Sequence, residues 1–294
     1  MPENKGELLG SLHIRACHHL GLEPKGLARL LSDGKSDLFF LYPSFFNGTA
    51  RLTGLSPEEL LLRHTVFRYA AIGLKPDRRA LLAKQLLAAS ARGNSVRLRA
   101  TLGLHVEALS FWRYCQQCRE EDIRRFGESY WHTCHALPGV FTCTQHSQPL
   151  QVTALSVTPK LSASTALLPQ EIRGDIVDWA LEVERMTRLA FAVLHAMSLP
   201  AEAWAVCCRE YRALADVRAR KCEQRHWRLD PMAIAFGEFY GVDFLERIGL
   251  TLSSLGCDAW PVKMARGAGP PVLLPLRHIL LRVFLEHFCP EPKI

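Results

Sequence analysis

Two residue pairs with metal-ligand spacing, Cys115-Gln-Gln-Cys118 and Cys143-Thr-Gln-His146, bracket a loop of 24 residues in the middle of the chain. A Cys-x2-Cys pair puts two thiolates on one tight turn, which suits two corners of a tetrahedron, and a Cys-x2-His turn supplies the other two. Three thiolates and an imidazole, with no carboxylate, favour Zn2+ over Mg2+ or Ca2+. Four protein ligands leave no open position for water, so the chemistry of such a site is structural rather than catalytic. The competing reading is a set of reduced, buried cysteines beside a surface histidine. Because the loop is longer than in a compact finger, a metal at Cys115, Cys118, Cys143 and His146 would pin a small subdomain rather than a single hairpin.

Further donors lie inside and beyond this loop. Any of His132, Cys134 and His135 could replace one of the four, and His135 is read as a packing residue or a partner of a ligand. Cys207, Cys208, Cys222 and His226 could hold a second metal, but adjacent cysteines do not easily occupy two corners of one tetrahedron, so buried thiols are the favoured reading. His105-Val106-Glu107 ahead of Cys115 and Cys118 echoes the zinc-deaminase signature; seven residues between the halves are too few for it, and Tyr114 stands where Pro would precede the first Cys. The motifs Gly-x4-Gly-Lys-Ser/Thr, Gly-x-Gly-x2-Gly, Gly-x-Ser-x-Gly and His-Glu-x2-His do not occur. The chain therefore reads as a non-enzyme with no nucleotide-binding loop.

In order, the central stretch runs Tyr114-Cys115, Cys118, Asp122, Phe126-Gly127-Glu128, Tyr130-Trp131, His135, Leu137-Pro138-Gly139-Val140, Cys143, His146 and Pro149-Leu150. This pattern resembles the TniQ/TnsD family, the target-selection proteins of bacterial transposons. The resemblance continues more weakly through Glu7, Ser11-Leu12, Arg15, Leu55, Glu58, Leu60 and Thr65, and faintly through Phe239-Tyr240-Gly241, Phe244-Leu245 and Pro275-Leu276-Arg277-His278. Thr144-Gln145 and Ser147 depart from it, standing where similar proteins often have Pro, a basic residue and Gly. The resemblance implies an adaptor that marks an insertion site, contacts an AAA+ ATPase regulator of transposition, and brings a transposase to target DNA. Within the family some members read an attachment sequence directly, and others join an RNA-guided CRISPR effector complex, sometimes as a homodimer. The rival reading is a free-standing zinc-containing DNA-binding regulator.

The elements that must position these residues are mainly helical. Leu8, Leu9, Leu12, Ala16 and His19 recur at helical intervals, Gly21 stops that helix, and Pro24 opens a second through Leu27, Leu30 and Leu31. The result is a helix-turn-helix-like hairpin, although packing hairpins are commoner than DNA readers and no clear recognition stripe is present. Ser56-Pro57-Glu58-Glu59 starts a helix over Leu60 to Tyr69, and Pro76 another to about Ala91, ended by Gly93-Asn94. After a Ser/Thr-rich connector, Ile176, Trp179, Val183, Met186, Ala190, Val193 and Met197 predict one long amphipathic helix over Ile172 to Met197. Helices follow at Ala201–Leu214, Pro231–Tyr240, Asp243–Ile248 and from Pro275 onward. The expected fold is mainly α: a helical N-terminal unit over 1–108, a zinc-binding subdomain over 109–155, and a helical C-terminal domain over 165–294.

Length and charge set wider bounds. A chain of 294 residues, 48% hydrophobic and 22% charged, can build two or three cooperating units with real cores. No opening segment joins basic residues to an apolar run, and His, Arg or Pro interrupts every long apolar stretch, so no membrane role and a cytoplasmic, thiol-reducing location are expected. The net charge of +7 is unevenly spread. Lys75, Arg78, Arg79, Lys84, Arg92, Arg97 and Arg99 form one basic cluster. Arg209, Arg212, Arg218, Arg220, Lys221, Arg225 and Arg228 form another, interleaved with Tyr211, His226 and Trp227. Either could meet a phosphate backbone, with Arg218, Arg220, Lys221 and Arg225 the strongest candidates, or be a solvated helix face.

Overall fold

Gly21 shapes the first part of the chain. In the computed structural model, which describes residues 6–32, 37–42, 44–88, 98–99, 101–157, 159–199, 230–266 and 274–288, it adopts φ 62° and donates its N–H to the Cys17 and His18 carbonyls. That left-handed cap ends α1 (Leu9–Leu20), and Pro24 then opens α2 (Pro24–Leu31) with the φ a first helical turn requires. Leu8, Leu12, Ala16, Leu27 and Leu31 are buried, so the hairpin spends its apolar stripes on packing. Close backbone approaches hold it in place. A Cβ on Gly10 would lie 2.0 Å from the Phe40 carbonyl oxygen, and one on Gly48 would lie 2.2 Å from that of Leu31.

Further helices follow in this half: α3 (Phe46–Thr53), α4 (Pro57–Arg63), α5 (Phe67–Ala70) and α6 (Pro76–Ala88). Ser56 and Glu59 form a reciprocal cap at the start of α4, as the sequence predicts. The predicted run from Leu60 to Tyr69 is broken in two. His64 turns out of the helix to meet Glu7 through its Nδ1, its carbonyl accepts from Leu9 N–H at 2.6 Å, and Thr65 Oγ1 accepts from Phe67 N–H to start α5. The expected end of α6 near Ala91 lies outside the described residues.

The centre holds β1 (Phe111–Tyr114), α7 (Gln116–Phe126), β2 (Gln151–Ser156) and β3 (Gly174–Ile176), with the strands in one antiparallel sheet of order β1-β2-β3. The long helix expected over Ile172 to Met197 is corrected here: it begins only at Val183, as α8 (Val183–Ser198). Gly174, Asp175 and Ile176 pair with Thr153, Val152 and Gln151 instead, and Gly174 lets the strands approach where a Cβ would meet Val152 backbone oxygen at 3.0 Å. Ladder hydrogen bonds override an apolar spacing that fits a helix. Met186, Ala190 and Val193 do face the core, whereas Val183 is exposed.

The chain closes with α9 (Pro231–Tyr240), α10 (Val242–Arg247), α11 (Trp260–Arg266) and α12 (Pro275–Phe288), the last packed along α8. The fold is mainly α, as periodicity indicates, with a small sheet that periodicity did not reveal. One hydrophobic cluster runs from Leu8 to Leu285 through all of these parts. Among the described residues no helix is long and apolar enough to cross a membrane.

His13 gives this core a pH dependence. Its Nε2 meets Thr49 Oγ1 at 2.9 Å, the residue is 1% exposed, and burial lowers its pKa to about 4. The folded pKa lies below the unfolded one near 6.5, so this contribution is complete above pH ~6.5 and is lost as pH falls toward 4. Urea unfolding should show a decline on the order of 2–3 kcal/mol over that window. His13→Gln should remove one proton from the slope; an unchanged slope would mean that His13 is not held neutral by the fold.

Candidate metal centre

Local structure explains how the four donors converge. Strand β1 delivers Cys115 to the N-cap position of α7, and Cys118 follows on the first turn of that helix. Cys143 and His146 sit on a tight turn in which Ser147 N–H donates to Cys143 O at 2.7 Å and Cys143 N–H to Gln148 O at 2.8 Å. Ser147 adopts φ 52°, the left-handed conformation that glycine takes without strain. Here the turn holds a serine in that conformation.

His146 Nδ1 lies 3.4 Å from Cys115 Sγ, 3.3 Å from Cys118 Sγ and 3.6 Å from Cys143 Sγ, and Cys118 Sγ is 3.6 Å from Cys143 Sγ. Bonds of 2.0–2.3 Å to a tetrahedral ion demand ligand–ligand edges of roughly 3.3–3.8 Å. The four donors therefore fit one such ion, with all three cysteines buried. Without an ion the four groups share protons among themselves. The clustered sulfurs drive Cys118 well above and Cys143 well below the ordinary thiol range. Burial pulls His146 down, but contacts with Cys115 and Glu121 outweigh it and raise its pKa to about 9. An ion bound here would displace the protons that Cys118 and His146 hold without it.

The surroundings add residues that spacing alone does not single out. Glu121 accepts from His146 Nε2 at 3.1 Å and from Gln145 Nε2 at 3.0 Å, fixing the ring with Nδ1 toward the sulfurs. The available signal was an acidic residue one turn beyond Cys118 on the same helix. Arg113 is buried in β1 and donates to the His135 carbonyl at 3.2 Å and the Leu137 carbonyl at 3.1 Å; burial lowers its pKa to about 10. Its guanidinium also stands 5.7 Å from the Phe141 ring centre. Gly139, at φ 89°, follows this clamp, and a Cβ there would meet Leu276 at 2.8 Å and Val193 at 3.1 Å.

The other candidates separate from the cluster. His132, Cys134 and His135 form a group of their own rather than replacing a member of the first. Burial pushes the Cys134 thiol up to about 12 and the His135 imidazole down to about 3. Lys75, Arg78, Lys84 and Arg99 are exposed, while Arg79 lies 5.9 Å from the Phe67 ring centre. Arg92, Arg97 and the second basic cluster, including Arg218, Arg220, Lys221 and Arg225, lie outside the described residues, as do Cys207, Cys208, Cys222 and His226.

Fold and site together define a mainly helical protein built around a Cys3His knuckle. Residues 2–150, just over half of the chain, match the TniQ family, and the chain belongs to it. Comparison with curated proteins returns no match. Membership fits a target-selection role associated with transposition, in a family of adaptors rather than enzymes.

If the cluster holds an ion, metal binding is part of folding. Replacing Cys115 or Cys143 with Ser should abolish the ion at this centre, lower Tm by roughly 10 °C and open the loop between the two pairs to proteolysis. Site-resolved metal analysis and a thermal scan check this; a wild-type protein folded identically with and without chelator would exclude a metal role.

Proposed function

We propose that the chain is a target-site selection adaptor in DNA transposition, linking a target-DNA or RNA-guided CRISPR effector complex to an AAA+ regulator. The observation that carries this is the family match over residues 2–150, with the four convergent donors inside it. Cys115, Cys118, Cys143 and His146 hold one Zn2+, whose role is structural because four protein ligands fill its coordination sphere. The ion closes the base of the loop and holds its buried aromatic residues in register. Residues 1–108 and 109–155 carry the ATPase contact, and Arg218, Arg220, Lys221 and Arg225 carry the contact with nucleic acid.

The test uses the full chain, because Trp131 Nε1 donates to Leu167 O and Gly139 packs on Leu276, so a cut near residue 155 would expose core. Crosslinking with the AAA+ ATPase should place most crosslinks within residues 1–155. Crosslinks confined to residues 160–294 would reverse that allocation, and no association at all would favour a free-standing zinc-containing DNA-binding regulator.

Nucleic-acid binding should be salt-dependent. Each phosphate neutralised releases counterions, so changing Arg218, Arg220, Lys221 and Arg225 together to Ala should reduce the slope of log K against log salt by roughly 3–4. Zinc content and helicity should stay unchanged, since phosphate contacts position a protein without building its core. A slope equal to wild type would return that cluster to a solvated face.

A further inference from the structure

Two consecutive carboxylates on α7 each engage a different histidine. Glu121 Oε1 accepts from His146 Nε2 at 3.1 Å, and Asp122 Oδ2 accepts from His132 Nε2 at 2.9 Å. A histidine that ligates a metal through one ring nitrogen commonly gives the other N–H to a carboxylate, which sets tautomer and orientation and raises ligand basicity. At His146 that arrangement leaves Nδ1 among the three thiols. The same engagement at His132 leaves its Nδ1 as the coordinating nitrogen, and two further donors stand beside it. The ligand atoms of His132, Cys134 and His135 all lie within 4.8 Å of one another.

A second observation points to a ligand here. His135 is 2% exposed, and its Nδ1 is buried with no hydrogen-bond partner. A buried, unsatisfied polar nitrogen is destabilising, whereas coordination satisfies it. Its ring centre lies 4.9 Å from that of His132, and Tyr130 stacks on His132 at 4.4 Å, so the His132 ring is in contact with both. Asp122 is 6% exposed, which makes its bond to His132 an interaction shielded from water.

We infer that His132, Cys134 and His135 form a second metal site, for Zn2+ or a similar borderline divalent ion, beside the Cys3His centre. Two imidazoles and one thiolate suit such an ion. Cys134 and His135 are adjacent in sequence, which would hinder two cysteines, but the longer imidazole lets the pair converge from the short 3-10 turn Cys134–Ala136. Coordination draws the donors together by up to about 1 Å, to tetrahedral edges. It also releases one proton, from the Cys134 thiol to solvent. Three protein ligands leave the fourth position to water, so this ion exchanges faster than one enclosed by four. Its location gives it leverage, because Thr133 N–H donates to Gly6 O at 2.8 Å and His132 bridges Glu7. Occupancy would tighten the seam between the central loop and the N-terminus.

The test reconstitutes the full-length protein with Zn2+, removes unbound metal and counts the rest by elemental analysis. The expected result is about two equivalents in wild type, and one in Cys134→Ser, in His132→Gln and in Cys143→Ser. Co2+ titration of the wild type supplies a measurement independent of variant folding: absorbance should break at two equivalents. With Cys134→Ser the thiolate-to-metal band should lose about a quarter of its intensity, one thiolate of four. A single equivalent kept by Cys134→Ser and lost by Cys143→Ser overturns the second site and leaves the first standing. A single equivalent lost by both overturns the second site as well. A single equivalent lost by Cys134→Ser and His132→Gln but kept by Cys143→Ser supports this site and removes the Cys3His reading, and a metal-free wild type removes both.

Discussion

A buried guanidinium between two carboxylates ties the molecule together. Arg15, 3% exposed on α1, reaches Glu7 Oε2 at 2.8 Å and Glu128 Oε1 at 2.7 Å. Burial works against its charge, and Glu7 and Glu128 outweigh that and raise its pKa. A charge buried in this way must keep its partners, since removing one leaves an uncompensated ion at a cost of about 3–5 kcal/mol. The surrounding groups are therefore fixed in turn. Ser11 donates to Glu7 and accepts from Trp131 N–H, and Leu8 N–H donates to the Trp131 carbonyl at 2.8 Å. The first helix and the loop between the ligand pairs are one unit because of this clasp.

Cys115, Cys118, Cys143 and His146 converge at the base of that loop, and its apolar residues leave in two directions. Trp131 packs edge-on to Trp112 at 4.7 Å, which itself stacks on Phe40 at 3.9 Å, toward the N-terminal helices. Phe141 meets Trp179 at 4.2 Å and Phe244 at 5.9 Å, toward the C-terminal ones. Between them Arg113 holds the carbonyls of His135 and Leu137. With no carboxylate opposite, this charge is stabilised by backbone oxygens and an aromatic face, which explains why burial lowers its pKa while that of Arg15 rises.

How much of this was legible in the sequence depends on how local each cause is. The Gly21 stop, the helix start at Ser56-Pro57 and the Pro24, Pro231 and Pro275 starts are written within a few residues, and each appears where it was read; the two Cys/His pairs, equally local in sequence, converge in space. Strand β3 was not legible, because Ile172 and Ile176 keep a helical interval and only pairing with Gln151–Thr153 decides otherwise. Nor was the break at His64, which answers to Glu7, 57 residues away. Asp122 was visible as part of a pattern, but its bond to His132 depends on how the loop turns back over α7.

The placement of the metal-ligand pairs follows from the length of what they enclose. A 24-residue loop carrying Trp131, Leu137, Val140 and Phe141, all buried, has no regular ladder of its own beyond α7 and one 3-10 turn. Closing such a loop costs entropy that grows only slowly with length, and an ion joining the two pairs would offset that cost at its base. Contacts with both helical sets then become cooperative: Glu128 and Trp131 fix one flank, Gly139 and Phe141 the other, and neither can shift without moving the base. An element fixed on both flanks can carry a displacement from one helical set to the other as a body rather than fraying.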